Sequence, residues 1–130
     1  MIAAKVKAGL EPEYEVIHVI LSTAGGVAEI PALLKGETPS SGVVDNVGSK
    51  NYAMAPAAVI IGGGYKDADV AEMQEACKGY DQVPWLRLDM SIPTPPLGPL
   101  YGEAMVKRVK ICLQGLVADG TVKGEGVYFY

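Results

Sequence analysis

Histidine and cysteine are scarce in this 130-residue chain, with one His and two Cys, the latter at positions 77 and 112. So few and so scattered, they exclude a zinc-type His/Cys ligand set, and no metal is expected. Both cysteines fall on the apolar stripes of predicted helices and read as small hydrophobes, with no neighbouring signal for a lowered thiol pKa. Basic charge is short as well: 11 Lys and Arg face 15 Asp and Glu, for a net charge of −4 and a pI near 4.9. No Lys/Arg cluster is long enough to follow a phosphate backbone, which sets aside nucleic acid and anionic membrane surfaces as partners. Long apolar runs are missing too, since none approaches the ~18 residues of a membrane span. The opening MIAAKVKAGLEPEYE carries charge where a signal peptide needs an unbroken apolar segment. A soluble, cytoplasmic protein is the expectation.

What is present is ordinary globular material, 49% apolar and 20% charged, so the 16 Gly and 9 Pro belong in turns. Residues 1–130 form a single α/β domain on length, able to bury roughly 70% of the unfolded surface. Its organising stretch is Ala57 to Gly79. Ala57 to Ile61 is a short apolar run between Pro56 and the Gly62-Gly63-Gly64 turn, and it reads as a strand buried on both sides. A helix follows, with Asp67 or Asp69 as N-cap, Val70, Met73 and Cys77 as its apolar stripe, and Gly79 as its stop.

Upstream, Ile2, Val6 and Leu10 mark a first helix stopped by Gly9 and Pro12. Tyr14 to Leu21 is the strongest strand signal and is expected to be central in the sheet. A turn at Ser22 to Gly26 leads to a helix beginning near Glu29, with Pro31 in its first turn and Gly36 closing it. Residues 36–56 lack any period and form an unusually long loop whose Val43, Val44, Val47, Tyr52 and Met54 suggest a lid over a pocket or a subunit contact. Downstream, Val83 to Asp89 reads as a strand near the sheet edge because of Pro84. Ser91 to Pro99 reads as an extended connector, Tyr101 to Ala118 as a long helix ended by Asp119 and Gly120, and residues 126–130 as a C-terminal strand.

Ligands of open parallel α/β sheets bind outside the carboxyl ends of the strands. That rule points to Ser22, Thr23, Gly25 and Gly26, and to Gly63 and Gly64, as ligand-binding positions whose backbone N–H groups suit an anion, with Tyr52 reaching in from the loop. Asp67 and Asp69 oppose an anion at the second turn, so the first is the better candidate. Catalytic candidates are His18, whose intrinsic pKa suits proton transfer although it lies mid-strand; Tyr65, beside the glycine turn; and Arg87 with Asp89, which share a strand face as an orienting pair.

These βα units resemble a small Rossmann-like domain of the NAD(P)-binding superfamily, the first helix and the Tyr14 to Leu21 strand looking like that fold's opening crossover without its first strand. The resemblance implies a three-layer α/β/α, Rossmann-like or flavodoxin-like architecture with a mostly parallel sheet of about four strands. NAD(P) would be the cofactor it brings, but the G-x-G-x-x-G fingerprint is absent, so none is expected. Two functions follow as expectations. One is a cofactor-independent acid–base enzyme, of isomerase, lyase or cyclase type, acting on an oxygenated or aromatic metabolite. The other is a non-catalytic ligand-binding or assembly module, possibly binding a nucleotide. The aromatic tail and the loop favour a homo-oligomer in either case.

Overall fold

The computed structural model describes residues 2–80, 83–118 and 126–130. Its elements run α1 (Ile2–Leu10), α2 (Thr23–Leu34), β1 (Val59–Ile61), α3 (Asp67–Ala76), β2 (Pro84–Arg87), α4 (Pro99–Ala118) and β3 (Gly126–Phe129). The result is a mixed α/β fold with four described helices and a parallel sheet of three described strands in the order β1-β2-β3. Among the described residues no helix is long and apolar enough to cross a membrane.

Alternation along β2 divides the core. Leu86 packs with Leu10 and with Met105, Val109, Leu113 and Leu116 of α4, whereas Trp85 packs with Ile61, with Ile30 and Leu34 of α2, and with Val70 and Met73 of α3. Successive strand residues point to opposite faces, so each face of β2 meets its own pair of helices. The strand expected at the edge is therefore the central one. Pro84 is tolerated there because it is the first residue of the strand, where a missing N–H is least demanded.

Tyr14 to Leu21 does not become a strand of the described sheet. It forms neither helix nor strand, and its backbone is met by the long loop: Val16 O accepts from Ser49 N and Ile17 O from Lys50 N, both at 2.9 Å. The Asn46 side chain takes both polar groups of Val19. With that partner gone, β1 is an edge strand and Ile60 is 38% exposed, contrary to the reading of a strand buried on both sides.

Helix α2 also starts earlier than expected. Ser22 is its N-cap, accepting from Gly25 N at 3.0 Å, and Pro31 lies inside the helix. Gly26, Glu29, Ile30, Leu33 and Leu34 then form its buried stripe at helical spacing. Gly26 is needed because the sulfur of Met73 on α3 occupies the place of any side chain. Gly36, at φ 78°, closes α2: Gly36 N donates to Leu33 O and Glu37 N to Ala32 O. The N-cap of α3 is Lys66 rather than Asp67 or Asp69; Asp69, three residues on, accepts from Lys66 N at 2.9 Å. Helix α4 begins at Pro99, just after Gly98, and its predicted stop at Asp119 and Gly120 lies outside the described residues. The C-terminal strand appears as β3, tied down by Tyr130, whose hydroxyl donates to Ile61 O at 2.8 Å.

Candidate functional site

Glu29 is the one buried charged residue among those described, and it is held by the α2 stripe. An ionisable group in that position needs partners. It has one in His18, whose Nε2 lies 2.6 Å from Glu29 Oε1, while His18 Nδ1 lies 2.7 Å from Tyr52 Oη. With a carboxylate accepting at Nε2, that nitrogen carries the ring proton, so Nδ1 accepts from the Tyr52 hydroxyl. The side chains of His18 and Glu29 are 1% and 9% exposed, and half-buried Tyr52 is the member of the chain that faces outward. Burial pushes the Tyr52 phenol above its ordinary value, and the negative charge of Glu29 adds to the effect. The phenol is thus protonated near neutrality and donates to the imidazole.

Two glycines make room for the Glu29 carboxylate. A side chain at Gly42, on the loop, would run into it, and a Cβ on Gly25 would lie 2.8 Å from Oε2 and 3.1 Å from Ser22 Oγ. The helix and the loop therefore close on the carboxylate from two sides. Asn46 anchors the loop by accepting from Val19 N and Gly48 N, each at 2.9 Å, and by donating to Val19 O at 2.6 Å and Gly42 O at 2.8 Å.

The other candidates are placed differently. Ser22, Thr23, Gly25 and Gly26 form the cap and first turn of α2, where Gly25 N is bonded to Ser22 Oγ and Gly26 N to Ser22 O. The glycine N–H groups proposed for an anion are thus already engaged, because the turn expected there is the first turn of the helix. Tyr65 donates to Ile20 O at 3.2 Å, and its phenol is raised by burial and, less, by Asp69. Arg87 and Asp89 do not pair. Arg87 donates to Asp67 at 2.8 Å, while Asp89 accepts from Ser91 Oγ at 2.6 Å and Ser91 N at 3.0 Å, closing the turn after β2. Those two bonds, with a smaller contribution from Arg108, hold the Asp89 carboxyl below its ordinary value. Gly63 lets Leu88 approach, since a Cβ there would lie 2.9 Å from Leu88 Cδ2; Gly64 faces open space. Among the described residues no group of three or more His, Cys, Asp or Glu is assembled as metal ligands.

His18 and Tyr52 are thus brought together, and Ser22 and Gly25 lie beside their carboxylate. Glu29 was the residue missed as a functional one. A helix begun at Ser22 instead of near Glu29 would have put that single carboxylate on the apolar stripe, which was the available signal.

No family profile and no solved structure matches the chain. It is similar to kojic acid related protein 6 of Aspergillus oryzae, 42% identical over an alignment of 131 residues that covers 95% of this chain and 76% of that protein.

Proposed function

The chain belongs to the family of kojic acid related protein 6, and we propose that it is a small-molecule enzyme working by cofactor-independent acid–base chemistry through Tyr52, His18 and Glu29. The observation that carries this reading is the continuous hydrogen-bonded chain from a half-exposed phenol through a buried imidazole to a buried carboxylate. Tyr52 Oη takes a proton from the substrate as its own proton moves to His18 Nδ1. The imidazolium so formed lies against the Glu29 carboxylate, which offsets its charge. Returning the proton to a second substrate atom gives an isomerisation, and returning it to a leaving hydroxyl gives an elimination. Either suits a carbon acid beside a carbonyl.

The relative's name connects that protein with kojic acid, and an oxygenated metabolite of that kind is the substrate class proposed here. Exposed Val44 and Met54 on the same loop as Tyr52 suit the apolar side of such a ligand. The architecture is read as a three-layer Rossmann-like fold, supported by the separate helix pairs on the two faces of β2. The test is a thermal-shift screen of kojic acid and hydroxy-carbonyl metabolites, followed by proton–deuterium exchange on any ligand that raises the melting temperature. Exchange that proceeds as fast with Tyr52→Phe as with the native chain would sink the assignment.

A second reading, an assembly module, has its own observation: edge strand β3 exposes Val127 and Phe129, and α4 exposes Ile111 and Val117. A homo-oligomer through these residues would dissociate in Phe129→Glu. An unchanged elution volume for that variant on gel filtration would exclude the contact.

A further inference from the structure

We infer that Asn46 is a positioning residue for the relay, the side chain that fastens residues 42–52 over His18 and Glu29. The inference rests on the reading of that relay as the functional site. Asn46 does not touch His18, Glu29 or Tyr52 through any of its four hydrogen bonds; it acts through the backbone. Its amide matches the peptide of Val19 as a paired strand would, accepting from the N–H and donating to the C=O of one residue. Its remaining bonds reach Gly42 O and Gly48 N, so one side chain fixes the loop both before and after itself.

The points it fixes are the ones the relay depends on. Gly42 lies against the Glu29 carboxylate, and any side chain there would displace it. Gly48 lies on the Ile17–His18 peptide, where a Cβ would be 2.5 Å from Ile17 O and 2.6 Å from His18 N. Four residues further along the loop, Tyr52 meets the imidazole. The backbone between them is held in an unfavourable shape, with Asp45 at φ 60° and Lys50 at φ 62°. Left-handed backbone at residues with a Cβ persists only where surrounding contacts enforce it, and here Asn46 supplies four of them. Backbone bonds from Ser49 N to Val16 O and Lys50 N to Ile17 O hold the loop after Gly48, and the Asn46 side chain extends that hold to Val19 and back to Gly42.

The chain contains a single histidine, which makes the test direct. In long-range ¹H–¹⁵N spectra of the native chain, His18 should be one tautomer, protonated at Nε2. Asn46→Ala should mix the tautomers and speed solvent exchange of the Nε2 proton at least tenfold. Asn46→Asp keeps the shape and both acceptor bonds but replaces the donations to Val19 O and Gly42 O, so it should move the spectrum the same way. Ser91→Ala, which removes a side-chain bond to Asp89 in the turn after β2, should leave it unchanged. A folded Asn46→Ala chain with the native histidine spectrum would overturn the inference. Native-state hydrogen exchange supplies a measurement free of variants: the Val19 amide, the Gly48 amide and the His18 ring proton should open together. A ring proton exchanging at least tenfold faster than both amides would equally overturn it. A native chain that shows the coupled opening but exchanges no ligand proton refutes the proposed chemistry while leaving Asn46 as the fastener of the loop.

Discussion

Removing His18 and Glu29, singly and together, measures whether the relay's inner pair exists. Their nitrogen and oxygen lie 2.6 Å apart with side chains 1% and 9% exposed, so water cannot substitute for a lost partner. A hydrogen bond with one charged partner contributes about 1.5–3 kcal/mol, and an abandoned buried polar group costs about 1–3 kcal/mol. Glu29→Ala strands the His18 Nε2 proton; His18→Ala strands the carboxylate and costs the Tyr52 hydroxyl its bond. Each is expected to cost about 3 kcal/mol, and the double variant about 4 kcal/mol, because the second removal finds its partner already gone. The coupling is therefore about 2 kcal/mol, well above the roughly 0.5 kcal/mol within which independent sites add. Urea unfolding followed by circular dichroism reads it directly. With a slope of about 1.5 kcal/mol per molar, each single change lowers the midpoint by about 2 M, and the double change by well under 4 M. Midpoints that add would show that the two side chains do not share a bond, and the proton pathway would fall with them.

Three further outcomes follow from the packing. Burial pushes the Tyr130 phenol from 10.0 up to about 12, a raised folded-state value. Its contribution is complete below pH 10 and is lost as pH rises through 12, so alkaline unfolding should begin in that window and should lose this component in Tyr130→Phe, which also costs about 1 kcal/mol at pH 7 through the lost bond to Ile61 O. Cys77, buried and pushed up to about 11, should react with a thiol reagent only on unfolding; stoichiometric labelling of the native chain would contradict its place in the core. Gly26→Ala should destabilise by about 2 kcal/mol in a thermal or urea melt, and less in a Met73→Ala background, because the added methyl meets the Met73 sulfur; equal losses in both backgrounds would refute the contact.

Elements whose signals are local were legible in the sequence. The β1–turn–α3 unit, the long helix after Tyr101 and the strand after residue 125 were all readable, because periodicity and glycine stops act within a few residues. Tyr14 to Leu21 was not, for a physical reason: a run of β-branched residues specifies an extended, half-buried backbone but not what satisfies its peptides. An asparagine side chain and a loop backbone do so here, and periodicity carries no trace of either. His18 and Tyr52 could be named separately from residue type and loop length, yet nothing local revealed that they meet across 34 residues. Glu29 was hidden by a boundary error, since starting α2 too late removed the stripe on which it stands out. The Arg87–Asp89 pair failed because sharing a strand face does not outweigh a nearer partner, and Ser91 and Asp67 were nearer.

Tyr130 also bears on how this chain reaches its fold during synthesis. Its hydroxyl bonds to Ile61, 69 residues upstream, and its backbone bonds to Arg87 and Asp89, so β1 and β2 are sealed by a residue translated after α4. At roughly 5–20 residues per second, β2 waits several seconds beside the ribosome for this closure, with the edge that β3 later pairs still open. The interval makes the open edge of β2 the place where mispairing would begin.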